Sequence, residues 1–418
     1  MTIAFVTFGC RLNRAETLDL EARALAEGHL VVDLDSGTVP EVIIIRGCSV
    51  TAKAQRDCEK TIEHLRQRFP ETAIRITGCL PQALPQGTDP ILSGTVPARG
   101  SDLGPVPMST SRAYLKIQDG CSGKCAFCIV PTFRGPPQSV PFDDVLARAR
   151  AFLDAGYREL VVTGCNLALY HSQGHNLPSV LAALAEMGTV PHHRIRLGSL
   201  EPGIHDREIL ETMERHPNIC RFLHLSLQSA SDRVLKRMNR PYSISRVADF
   251  CTEARQRLGS RLCLGADVIT GFPGETEEDH FLTRQFLSPS NALQSSDVKP
   301  QTSDLKPFTF SNLHVFPYSE RPGTPAAILD GALPRAVRIA RAKELENVGL
   351  ACRTAFARSF IGQTVEVCVE RGGDHGWTSE YLPCRLPCPA PRRSLVAVHV
   401  KDVDDKGQLR GEVRSERD

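Results

Sequence analysis

The chain has 418 residues, 50 Lys and Arg against 48 Asp and Glu, and a formal net charge of +2. No global charge announces a polyanionic partner, so any nucleic-acid surface has to be a local patch; no apolar run is long enough to cross a membrane, and the length predicts two or three domains. Fifteen cysteines, behind a start (Met1–Phe8) without a basic leader or a small-residue cleavage site, point to a reducing compartment and to metal or redox work rather than to disulfides.

Three β-branched runs, Ile3–Phe8, Val42–Ile45 and Ala73–Thr77, predict buried strands of a parallel sheet. Helical patterns lie between them near Ala15–Glu27 and Lys53–Phe69. Each strand runs into a Gly-Cys pair: Gly9-Cys10, Gly47-Cys48 and Gly78-Cys79. Ligands of open α/β sheets gather beyond the carboxyl ends of the strands, so Cys10, Cys48 and Cys79 are expected to converge on one point. The competing reading makes each a small buried apolar residue, the common fate of a free cysteine. Residues 81–111, rich in Pro, Gly and Ser, read as a linker.

A second α/β series follows. Strands are expected at Tyr114–Ile117, Glu159–Thr163, Arg194–Gly198, Phe222–Leu227, Leu262–Ile269 and Leu313–Phe316. Amphipathic stretches between them include Phe142–Ala155, Asp206–Arg215, Ser245–Arg257 and Thr276–Phe286. Six alternating units predict a partial (βα)6 barrel whose working face is the carboxyl ends of its strands. Just after the first strand stand Cys121, Cys125 and Cys128, spaced C-x3-C-x2-C. Four-iron clusters normally take four thiolates. Three in so short a loop leave one iron open to chelate a cofactor, the premise of radical chemistry with S-adenosylmethionine. Zinc is the alternative, yet it wants a fourth Cys or His near by, and none follows soon after Cys128; a loop without metal is the third reading.

Candidate cofactor contacts lie on the same face. Phe127 is placed to lie against an adenine ring or simply to pack. Gly164, Ser199, Glu201, Gln228 and Ser229 fall at or just past strand ends. Gly271-Phe272-Pro273-Gly274-Glu275 makes a rigid loop whose glycines, Gly271 and Gly274, let backbone amides approach a ligand; the bland alternative is a turn before the next helix. Residues 288–307 are polar and read as a disordered insertion. A helix is expected from Pro334 to about Phe360, with six Lys or Arg against two Glu. Short strands at Thr364–Val369, Leu395–Val400 and Leu409–Val413 then predict a small β-barrel. Cys368, His375, Cys384 and Cys388 have poor spacing for zinc and read as strand residues of that barrel. The expected domains are 1–106, 107–360 with its linking helix 334–360, and 361–418.

Across most of its length the chain resembles the radical S-adenosylmethionine methylthiotransferases. The resemblance rests on Gly9-Cys10-Arg11-Leu12-Asn13, Thr77-Gly78-Cys79, the Cys121–Cys128 loop, Arg196–Pro202, Leu225–Ser229 and Gly271–Glu275. His314–Ser319 with Arg321–Ala326, and Lys236–Arg240, are similar to the branch that modifies threonylcarbamoyladenosine beside the tRNA anticodon. Gly376–Tyr381 resembles the signature of the family's RNA-binding TRAM barrel.

The resemblance implies two [4Fe-4S] clusters, a radical-generating one on Cys121, Cys125 and Cys128 and an auxiliary one on Cys10, Cys48 and Cys79. It further implies S-adenosylmethionine as methyl donor and radical source, a tRNA anticodon stem-loop as substrate, a reducing electron donor such as flavodoxin or ferredoxin, and a cytoplasmic setting. Rival readings are a methylthiotransferase acting on a ribosomal-protein aspartate and a non-catalytic iron–sulfur RNA-binding protein. The chain departs from the family pattern at Arg46-Gly47-Cys48, where Asn-Thr-Cys is usual, and in the short linker after Cys79. Cys165 reads as a packing residue or as one that handles sulfur. The C-terminal segment is not basic, so RNA contacts are expected instead from Arg335, Arg338, Arg341 and Lys343, and from Arg233, Lys236, Arg237 and Arg240.

Overall fold

A computed structural model describes residues 1–79, 106–107, 109–188, 192–288 and 308–414. Most of the expected linker (81–111) and nearly all of the expected insertion (288–307) lie outside the described residues.

The N-terminal unit runs β1 (Thr2–Thr7), α1 (Arg11–Ala26), β2 (Leu30–Val31), β3 (Val42–Cys48), α2 (Ala52–Arg68) and β4 (Ala73–Cys79). Its sheet is wholly parallel, in the order β2-β1-β3-β4. Along β3 the side chains alternate: Val42 and Ile44 pack with Leu20 and Ala24 of α1, Ile43 and Ile45 with Ile62 and Leu65 of α2. Both faces are covered, which is why the strands read as unbroken apolar runs. One expectation needs correcting. Only Gly9-Cys10 follows its strand; β3 and β4 run on through theirs, pairing Gly47 with Gly78 and Cys48 with Cys79.

The second series begins with β5 (Ala113–Lys116), β6 (Gln118–Asp119), α3 (Val130–Arg134), β7 (Gln138–Ser139), α4 (Phe142–Asp154) and β8 (Glu159–Thr163). It continues through the hairpin β9 (His171–Ser172) and β10 (His175–Asn176), α5 (Leu177–Ala185), β11 (Arg194–Leu197), β12 (Ser199–Leu200) and α6 (Asp206–Arg215). Then come β13 (Phe222–Gln228), α7 (Asp232–Arg237), α8 (Ile244–Leu258), β14 (Cys263–Thr270), α9 (Glu277–Leu287) and β15 (Phe310–Pro317). The parallel sheets β11-β8-β5 and β12-β13-β14-β15 form one curved wall. Its third strand changes partner at Gly198, β11 pairing with β8 and β12 with β13. Three helices went unpredicted: α5 is apolar almost throughout and lacks a polar face to reveal its period, while α3 and α7 span only Val130–Arg134 and Asp232–Arg237.

The N-terminal unit lies across the open side of this wall. Arg148 of α4 pairs with Asp19 of α1, and Arg11 donates from Nη1 to the Leu197 carbonyl at 3.2 Å. At the far edge the Ala52 amide donates to Ser319 Oγ at 2.9 Å and Arg321 to Gln55 Oε1 at 2.8 Å. Long α10 (Arg335–Arg358) lies against β15, Gly349 meeting Leu313. The chain ends in a closed barrel of β16 (Thr364–Val369), β17 (His375–Thr378), β18 (Pro383–Arg385), β19 (Leu395–Val403) and β20 (Leu409–Val413). Glu159 at the foot of β8 fastens it: Arg194 and Arg196 reach its carboxylate at 2.6 and 2.7 Å while donating to the carbonyls of Trp377, Thr378 and Ser379. Burial raises the Glu159 carboxyl, but these arginines outweigh it and hold the group well below its ordinary range. No helix of the described residues is long and apolar enough to cross a membrane.

Two cysteine trios as a candidate metal centre

The Cys121–Cys128 loop is fixed by the backbone around it. The Cys121 amide donates to the Gly135 carbonyl at 3.1 Å, that of Ala126 to Met238 at 2.9 Å, and that of Cys128 to Cys125 at 3.1 Å; Asn239 Nδ2 reaches the Lys124 carbonyl at 2.7 Å. Two donors point at sulfur: the Gly123 amide at Cys121 Sγ (3.2 Å) and Arg240 Nη1 at Cys125 Sγ (3.0 Å), with Arg240 braced by Glu201 at 2.9 Å. Burial pushes the Cys128 thiol up to about 11 and raises Cys125, so metal loading here must release protons.

The other trio is assembled by the sheet. Cys48 and Cys79 stand side by side on β3 and β4. Gly9 brings Cys10 to them: a side chain at Gly9 would fall 2.8 Å from Cys48 Sγ, so only glycine permits the approach. Cys10 caps the N-terminus of α1, and Cys48 precedes that of α2. Helix N-termini favour negative charge. Arg134 adds a cation, its Nε 3.2 Å from Cys79 Sγ. Three soft donors with positive ends aimed at them fit an anionic iron–sulfur cluster with one iron unliganded by protein.

Arg134 also joins the two trios. It closes α3, the helix that follows the Cys121–Cys128 loop, and donates to Glu16 Oε1 at 2.9 Å, Asp119 Oδ1 at 3.0 Å and Asn13 Oδ1 at 2.8 Å. Lys116 bridges Glu16 and Asp119 at 2.8 and 2.5 Å. Burial raises the Asp119 carboxyl, yet Lys116 and Arg134 win and hold it at about 2. Arg46, the departure from the family pattern, pairs with Glu16 and reaches Thr77 Oγ1 at 3.3 Å; it points at no sulfur in the described contacts. Cys165, with its thiol pushed up by burial to about 12, donates to Asp119 Oδ1 at 3.4 Å. Nothing in the sequence flagged Arg134 or Glu16, because a lone cation or carboxylate on a helix usually marks only a solvated face.

The candidate cofactor residues have the following surroundings. Ser199 is exposed, Glu201 is engaged by Arg240, and Gln228 is buried at the end of β13 with a positive φ of 67°. Gly164 lies tight against Gln118. Phe127 packs edge-on to Phe272 at 6.5 Å, in an apolar cluster with Met238 and Tyr318. At Gly271 a side chain would strike Arg338 Cγ at 2.4 Å, and at Gly274, where the neighbour is the mobile end of Arg237, the positive φ of 81° favours glycine, so the fold itself accounts for both.

Most of the arginines expected to meet RNA are ion-paired within the chain. Arg233 pairs with Asp279, Arg237 with Asp330, Arg338 with Glu320, and Arg341 with Glu275 and Glu277, while Arg240 serves Cys125 and Glu201. Carboxylates far away in sequence pair with them. Lys236, Arg335 and Lys343 remain exposed.

Residues 115–287 match the Radical SAM superfamily, and residues 2–90 match Uncharacterized protein family UPF0004. The Threonylcarbamoyladenosine tRNA methylthiotransferase MtaB of Rickettsia prowazekii is 30% identical over 91% of this chain and 90% of its own. The chain belongs to the radical S-adenosylmethionine methylthiotransferase family. The protein of the same name from Bacillus subtilis is 30% identical over 88% of this chain and 85% of its own. The tRNA-2-methylthio-N(6)-dimethylallyladenosine synthase of Chlorobium limicola is 29% identical over 87% and 85%. As a radical SAM methylthiotransferase the protein is an enzyme that uses S-adenosylmethionine and a four-iron cluster.

Proposed function

We propose that this enzyme converts N6-threonylcarbamoyladenosine beside the tRNA anticodon to its 2-methylthio derivative, with one four-iron cluster on Cys121, Cys125 and Cys128 and a second on Cys10, Cys48 and Cys79. The observation that carries the reading is Arg134, which contacts Cys79 of one trio and Asp119 at the base of the other trio's loop. An aromatic C–H has no acidic proton for a general base, so the reaction needs a radical and an activated sulfur close together. When bound, the two clusters and S-adenosylmethionine supply that radical and that sulfur.

The chain's own residues do the holding. Arg240 and the Gly123 amide steady the sulfurs of the loop, Arg134 steadies Cys79, and Glu201, Ser199, Gln228, Gly164 and Phe127 line the mouth where the cofactor lies. Gly271 and Gly274 shape that mouth by packing. Exposed Lys236, Arg335 and Lys343 contact tRNA phosphate, and a flavodoxin or ferredoxin delivers the electron.

Nucleoside analysis of tRNA from a deletion strain tests the substrate. The expected result is threonylcarbamoyladenosine that has lost its methylthio group; retention of that group refutes the assignment. The same chromatogram reads the dimethylallyladenosine derivative, whose loss would move the enzyme to the other named group of relatives. Iron and sulfide counts after anaerobic reconstitution test the second cluster: about eight irons per chain are expected, and about four would refute it.

A further inference from the structure

His224 on β13, Asp267 on β14 and His314 on β15 come from three neighbouring parallel strands, and none of them belongs to either cysteine trio. Asp267 stands directly opposite His314 in the register. His224 Nε2 lies 3.0 Å and His314 Nδ1 3.2 Å from the same oxygen, Asp267 Oδ1, and the two imidazoles are 4.6 Å apart. A hydrogen bond from His314 accounts for one of these approaches. His224, 2% exposed, pairs with the same oxygen through Nε2, so one carboxylate oxygen is shared by two imidazoles, and Nδ1 of the buried ring has no hydrogen-bond partner among the described residues. Nδ1 is pressed against Gly265, where a side chain would fall 2.6 Å away, so the ring is fixed with Nε2 toward Asp267.

Two imidazoles converging on one carboxylate oxygen bring three ligand-type atoms to one point, the arrangement a bound cation would share. Ions bound at roughly 2.0–2.1 Å by nitrogen and oxygen set neighbouring ligand atoms about 2.9–3.4 Å apart, and both approaches to Asp267 Oδ1 fall in that span. We propose that His224, Asp267 and His314 form a divalent-cation site of two imidazoles and one carboxylate inside the partial barrel, separate from the cysteine trios. All three ligand atoms lie within 4.8 Å of one another. His314 is half-exposed, with 47% of its side chain accessible, so the ion is reachable and its remaining positions are open to oxygen donors. Two imidazoles and a carboxylate suit Mn2+, Fe2+, Co2+ or Zn2+, whereas thiolates select softer ions.

The test uses full-length protein with its cysteines already loaded with iron and sulfide. Mn2+ is titrated in and the free ion read by electron paramagnetic resonance; Co2+ is titrated in parallel and read by its visible spectrum. About one ion per chain should bind, and the cobalt bands should lack sulfur-to-metal charge transfer. Asp267→Asn and His314→Gln should each weaken binding at least tenfold without changing iron or sulfide content; His314→Gln, at the exposed position, guards against a simple folding defect. The proposal is overturned if neither ion binds, if cobalt shows thiolate ligation, or if both variants bind as the wild type does.

Discussion

Cys121, Cys125 and Cys128 lie in one short loop, whereas Cys10, Cys48 and Cys79 come from the ends of three strands spread over most of the N-terminal sheet. Local backbone bonds and the Met238–Arg240 segment hold the first set. The second exists only while β3 and β4 keep register, since a slip by one residue would turn Cys79 to the opposite face. Chemically the two converge. Each presents one sulfur to an arginine, Arg240 on Cys125 at 3.0 Å and Arg134 on Cys79 at 3.2 Å, and each arginine is braced by a glutamate, Glu201 or Glu16. A loop motif carries its chemistry in its spacing; a sheet-assembled one carries it in the fold.

Removing one ligand from each set should separate them most sharply. Cys125→Ala is expected to abolish reductive cleavage of S-adenosylmethionine and lower iron from about eight to about four per chain. Cys79→Ala should lose the same amount of iron yet still yield 5′-deoxyadenosine while making no methylthio product. Loss of 5′-deoxyadenosine in Cys79→Ala would show that the two sets do not work independently.

The arginines offer a finer comparison. Arg240→Gln and Arg134→Gln each remove a positive charge beside one sulfur, which disfavours the more negative, reduced cluster. Each should lower the potential of its own cluster by on the order of 50 mV and leave the other nearly unchanged, as read by redox titration with paramagnetic resonance. If Arg134→Gln shifts both equally, Arg134 acts on the two sites as one.

How much of this was legible follows the same division. The loop was readable because three thiolates at that spacing have few other uses, and the strands were readable because both faces of each sheet are covered. Convergence of Cys10, Cys48 and Cys79 was an inference from strand ends; the structure sets Cys48 beside Cys79 and Gly9 against Cys48, although β3 and β4 run on through their glycines. The basic patches were legible only as runs of cations, because sequence does not show the carboxylates of other elements that pair with Arg233, Arg237 and Arg341. Arg134 was invisible for the same reason: its meaning lies in Cys79, Glu16 and Asn13, all far away in sequence.

Asp119, between the two sets, gives a pH signature. Its carboxyl is held at about 2, below the ordinary 3.8, so the stability it contributes is complete above pH 3.8 and is lost as pH falls toward 2. Urea unfolding at pH 5 and pH 3 should therefore cost wild type roughly 1 kcal/mol more than Asp119→Asn. Equal losses would mean that Lys116 and Arg134 do not hold the carboxylate charged.

The smallest effect is expected at Arg46. Burial pushes its guanidinium down to about 10; its hydrogen-bond partners are Glu16 and Thr77, and Cys79 and Cys10 act on it only through their charge. Glu16 keeps Arg134 and Lys116 when Arg46 is gone. Arg46→Asn, which restores the usual family residue type near this position, should leave iron content unchanged. It should move the potential of the Cys10–Cys48–Cys79 cluster by less than half the shift caused by Arg134→Gln. A larger shift would place the Arg46 charge on the cluster itself and make this departure from the family pattern a tuning residue; a small one leaves Arg134 as the cation that sets the site.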